Sequence, residues 1–83
     1  MEITPEITDL FESQLDQVSS VELTYKNGGM VTGTVRKVRL SPLRLVILKT
    51  NPEKGERSKH KVVFDHVTRL QVTLSDGSVK LFE

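Results

Sequence analysis

Cysteine is missing from this 83-residue chain, and so are alanine and tryptophan. Without cysteine there is no disulfide, no zinc–thiolate site and no thiol nucleophile. The two histidines cannot form a histidine-rich metal site without carboxylate help. Rings are scarce, at one tyrosine and three phenylalanines, so little surface is left for stacking bases. No window approaches the ~18–20 apolar residues of a membrane span. The segment MEITPEITDLFESQ starts acidic and lacks both a basic n-region and a long apolar h-region. A signal peptide is therefore not expected, and a cytoplasmic location is the default expectation. Catalytic signatures are missing as well: no G-x-S-x-G elbow, no P-loop and no dinucleotide fingerprint. A chain this short buries only about 60–65% of the surface its unfolded form exposes, which leaves little room for a catalytic cleft. The expectation is a single domain, 1–83, that is not an enzyme and uses no cofactor.

What is abundant is β-branching. Eleven valines, three isoleucines and eight threonines suit a pleated, half-buried sheet better than a helix. The first segment is the exception. Thr4 can cap a helix, Pro5 suits its first position, and Ile7, Leu10, Phe11, Leu15 and Val18 recur every three or four residues. A helix over 5–18 is predicted. From Ser19-Ser20 onward the pattern alternates, with Val21, Leu23 and Tyr25 on one face and Glu22, Thr24 and Lys26 on the other. Asn27-Gly28-Gly29 is a hairpin turn. In MVTGTVRKVRL the apolar phase runs through Val31, Gly33 and Val35, then shifts to Val38 and Leu40, which predicts a bulge or a sharp bend near Arg36-Lys37. Gly33 would admit a neighbouring backbone. Ser41-Pro42 ends the run, and LRLVILK reads as a strand buried on both faces. TNPEKGERSK (50–59) reads as an exposed, mobile loop, Asp65-His66 as a turn or a tight one-turn helix, and Ser75-Asp76-Gly77-Ser78 as a hairpin turn. Strands are predicted over 20–26, 30–40, 43–49, 60–64, 67–74 and 78–82. The fold class expected is mainly β: an N-terminal α-helix followed by a strongly bent antiparallel sheet of five or six strands, bent so as to hide its edges.

The net charge of +1 conceals a segregation. Glu2, Glu6, Asp9, Glu12, Asp16 and Glu22 fall within residues 1–25, which contain no lysine or arginine. All twelve basic residues follow, ten of them within 26–61. Two binding surfaces are conceivable on that basis. The acidic helix face could dock on a basic partner, or could simply be solvated. The basic stretch, with Arg36, Lys37, Arg39 and Arg44 in or beside the bend, could neutralise the phosphates of RNA or DNA, or could be a solubilising face. His60 and His66 flank a predicted strand, with Asp65 adjacent. On an ideal strand they lie about 20 Å apart, too far to share a metal ion.

The helix, the strand pair VELTYKNGGMVTGTVRKVR and the later segment VVFDHVTRL together resemble the Sm-like fold. That resemblance implies an N-terminal helix and a strongly bent sheet closing into a small barrel. Leu23, Lys26, Asn27, Gly28, Gly33 and Val35 fit the family's first motif. Sm proteins commonly form rings that bind uridine-rich RNA, through an Asp/Asn-bearing turn after the second strand and an Arg-Gly segment near the fourth. Here Arg39-Leu40-Ser41-Pro42-Leu43-Arg44 occupies the first place, and no Arg-Gly occupies the second. LTYKNG and VVFDHVTRL are also similar to segments of the Rho-binding antiterminator (Rof) family, small bacterial Sm-like proteins that occupy the RNA-binding surface of the transcription terminator Rho. This implies a regulator of termination docking through Glu6, Asp9, Glu12 and Asp16. Direct single-stranded RNA binding through 26–61 is the alternative, and self-association through edge strands is a third expectation.

Overall fold

The computed structural model describes residues 1–50 and 58–83. Helix α1 spans Pro5–Ser13 and begins as the sequence dictates. Thr4 Oγ1 accepts the Ile7 N–H at 3.3 Å, and Pro5 takes the first turn, where no N–H is needed. Ile7, Leu10 and Phe11 lie on one side of it and are buried. The helix is shorter than its periodicity predicts. Leu15–Gln17 forms a separate 3-10 turn, Leu15 is 38% exposed, and Val18 opens the first strand opposite Leu74. The three-residue step from Leu15 to Val18 fits a helix, and the ladder with the later strand overrides it.

The strands are β1 (Val18–Tyr25), β2 (Met30–Arg39), β3 (Arg44–Lys49), β4 (Lys59–Lys61), β5 (Val67–Leu74) and β6 (Val79–Phe82). They form one six-stranded sheet in the order β4-β3-β2-β1-β5-β6, and every neighbouring pair is antiparallel. The sheet is not closed by a ladder among the described residues, since β4 and β6 stand at its two ends. It nevertheless curls. Tyr25, at the end of β1, places its hydroxyl 2.5 Å from His60 Nε2 on β4, although β2 and β3 lie between them in the sheet.

The turns follow their chemistry. Gly28 adopts φ 88° between β1 and β2, and Asn27 Oδ1 accepts the Gly29 N–H at 2.8 Å. Asp76 Oδ1 accepts from the Ser78 N–H and hydroxyl at 2.9 and 2.6 Å in the β5–β6 turn, which lowers the Asp76 pKa. Gly33 is needed for space: a Cβ there would fall 2.8 Å from Ile47 Cγ2 and against the Leu48 carbonyl. Of the bulge or bend expected at Arg36-Lys37, the structure has a bulge, since the register passes from Val35↔Ile47 to Lys37↔Val46 and leaves Arg36 unmatched.

The core unites Ile7, Leu10 and Phe11 with Val21 and Leu23 of β1, Leu45 and Ile47 of β3, and Val67, Leu70, Val72 and Leu74 of β5. Three expectations need correction. β3 is buried on one face only: Leu45 and Ile47 are enclosed, whereas Leu48 is 39% exposed, because no layer covers the outer face. Leu40 is 43% exposed and lies past the end of β2. The strand predicted over 60–64 is instead the three-residue β4, and Phe64–His66 is a 3-10 turn that drives the Phe64 ring into the core. The loop read over 50–59 falls mostly outside the described residues, as do Lys54 and Arg57. No helix among the described residues is long and apolar enough to cross a membrane.

Candidate nucleic-acid interface

On the outer face of β2, β3 and β4 the register sets cations side by side. Lys37 and Lys61 both pair with Val46, one from each side, which puts their strands roughly 10 Å apart. Arg39 lies directly opposite Arg44. Like charges directly opposed across a ladder are destabilising, so this pair works against the sheet that carries it. Lys37, Arg39, Arg44 and Lys61 all line a groove of about 740 Å³. Its apolar lining includes Leu43, Leu45, Val46, Val62, Val63 and Phe64, and Asp65 is its one carboxylate among the described residues. The Met1 ammonium donates to the Phe64 carbonyl at 2.8 Å, which fixes the first residues alongside the groove.

Of the four basic residues singled out in the sequence, the groove gathers Lys37, Arg39 and Arg44 and leaves out Arg36, the unmatched bulge residue. Lys61 joins them although nothing local distinguishes it from the other lysines of 49–61. Its position is a product of the β3–β4 ladder. None of the four lining cations forms an ion pair with a described residue.

The four acidic candidates are all exposed. Glu6, Asp9 and Glu12 are spaced three apart on α1 and share a face, whereas Asp16 belongs to the following 3-10 turn. Asp9 Oδ1 accepts the Ser13 hydroxyl at 3.2 Å. None of the four is ion-paired with a described residue, so the acidic segment and the basic strands do not neutralise each other by contact.

Beside the groove lies a smaller pocket of about 380 Å³, lined by Tyr25, Lys26, Asn27, His60, Val63 and His66. The Tyr25 and His60 rings meet edge to face, with centroids 5.6 Å apart and planes at 76°. Burial pushes the Tyr25 hydroxyl above its usual pKa, and a backbone hydrogen bond with Val63 works the other way. Burial first, and the charge of Lys49 second, hold His60 below the ordinary imidazole value. The two histidines thus share a pocket, because the chain turns at Phe64–His66 instead of continuing as a strand. No group of three or more potential metal-ligating residues occurs among the described residues. Comparison with family models, with curated proteins and with solved structures finds no match for this chain.

Proposed function

We propose that this chain is a non-catalytic regulator of the Sm-like barrel class, acting in the bacterial cytoplasm, whose basic groove holds single-stranded RNA. One observation carries the reading: four cations converge on one groove without partners among the described residues, and two of them oppose each other across a ladder at a cost to the fold. An anionic chain laid along the groove would relieve that repulsion. The Sm-like assignment is supported by the helix preceding β1, the order β4-β3-β2-β1-β5 and the curl that brings Tyr25 to His60. Four phosphate contacts to a single strand give a slope of log affinity against log salt of about −3. Titrating an oligouridylate at several salt concentrations measures it. Reversing Lys37, Arg39, Arg44 and Lys61 to glutamate should abolish binding, and a variant that binds unchanged would sink the proposal.

A second reading is favoured by the acidic helix. Glu6, Asp9 and Glu12 form an exposed face without an ion pair among the described residues, on a helix whose other side, Ile7, Leu10 and Phe11, is buried in the core. That face suits docking on a basic RNA-binding protein, as the Rof resemblance implies for the terminator Rho. Reversing Glu6, Asp9, Glu12 and Asp16 together should eliminate capture of purified Rho, and capture at wild-type strength would exclude this mode.

A further inference from the structure

The smaller pocket collects every ring of the chain that carries a polar atom, namely Tyr25, His60 and His66. These residues come from β1, β4 and the Phe64–His66 turn, so their meeting is a product of the curled sheet. Val63, 48% exposed, lines both this pocket and the basic groove, which makes the two neighbours. We propose that the pocket is a nucleobase site, into which one unstacked base turns when a single strand lies in the groove. The inference rests on the RNA reading above and adds to it the part of the ligand that the groove does not contact.

Three features support it. Unstacked RNA bases are bound by stacking on tyrosine and histidine rings and by hydrogen bonds to their edges. Here Tyr25 and His60 touch edge to face at 76°, so that their free faces form a corner, a slot in which a flat heterocycle can stack on one ring and present its edge to the other. The slot is also pre-set. The Tyr25 hydroxyl bonds to His60 at 2.5 Å, and the Lys26 N–H donates to the His66 carbonyl at 2.8 Å, so little ordering is left to the moment of binding. Finally, the polar complement fits a nucleotide. The Asn27 oxygen is engaged by Gly29, which leaves its amide nitrogen as a donor, and Lys26 adds a cation beside the base site for the adjoining phosphate. At about 380 Å³ the cavity lies within the ordinary range of small-ligand sites.

The test uses a uridine decamer and an abasic oligomer of the same length and charge, with the Tyr25, His60 and His66 ring signals followed by NMR. The single tyrosine signal identifies itself, and the signal lost in His66→Ala tells the two histidines apart. The decamer should bind about tenfold or more tighter than the abasic chain and shift all three rings. The abasic chain should shift only groove residues such as Arg39 and Arg44. His66→Ala, a change at an exposed position, should reduce decamer affinity to that of the abasic chain while the fold is retained. Equal affinities with unmoved rings would overturn the base site and leave the groove standing. Binding of neither oligomer, or tighter binding of a glutamate peptide of equal charge, would overturn both.

Discussion

The two halves of the sheet treat charge in opposite ways. In the β1–β5–β6 half the outward rows are neutral or balanced. Glu22 faces Thr32 and Gln71, Ser20 faces Thr73, and Arg69 lies 3.7 Å from Glu83. In the β2–β3–β4 half Arg39 faces Arg44, and Lys37 and Lys61 flank the same valine. The first surface costs the fold nothing. The second holds like charges together without internal compensation among the described residues. Surfaces that oppose their own stability are where a ligand is best sought.

Several experiments would break or sharpen that contrast. The largest effect concerns what the halves share. Leu45→Ala beneath the groove and Leu70→Ala beneath β5 should each lower stability by about 2–5 kcal/mol, since both side chains are buried in one core. Urea unfolding followed by two probes should give coincident transitions for both variants, and separated transitions would mean that the halves fold independently. Next, Gly33→Val perturbs the β2–β3–β4 half alone, where β2 meets β3. Its side chain would press on Ile47 and the Leu48 carbonyl, for a loss of about 1–3 kcal/mol in the same assay.

A pH series sharpens the contrast on the groove side. The His60 pKa is lowered in the fold, so the unfolded chain takes up a proton first as pH falls. Stability should decline as pH drops from above the unfolded value of about 6.5 toward the folded one, and then level off. His60→Gln should remove that component of the decline in urea midpoints measured between pH 7.5 and 5. The smallest effect has opposite signs in the two halves. Arg44→Ser should raise stability by about 0.2–1 kcal/mol by removing a like-charge pair, while weakening RNA binding. Arg69→Ser should lower stability by up to about 1 kcal/mol, since it removes an exposed ion pair, and should leave RNA binding unchanged. Loss of stability in both variants would erase the distinction.

Much of this fold is legible in the residues because it depends on local rules. The cap at Thr4, the turns at Asn27-Gly28-Gly29 and Asp76-Gly77, the phase shift near Arg36 and the alternation of β1 and β5 each follow from a few neighbouring side chains. What escaped detection was decided at long range. The ladder of β1 with β5 claimed Val18 from the helix. The lack of a covering layer exposed Leu48, and although a turn at Asp65-His66 is legible, that it carries His66 round to His60 depended on the curl of the sheet. The candidate site divides in the same way. Lys37, Arg39 and Arg44 stand out by density along the chain, whereas Lys61 and the ring pocket exist only because the sheet pairs and curls.

The unmatched Arg36 can be read as a frameshift in the two-residue code of a strand. Val31, Gly33 and Val35 set a frame in which the next inward positions would be 37 and 39. Those positions are a lysine and an arginine, and uninterrupted reading would send both into the core. One additional residue resets the frame, so that Val38 turns inward opposite Leu45 while Lys37 and Arg39 emerge on the same side as Arg44 and Lys61. The basic surface is thus written by a single inserted letter. Arg36 itself does not line the groove, but its place in the count determines which residues do.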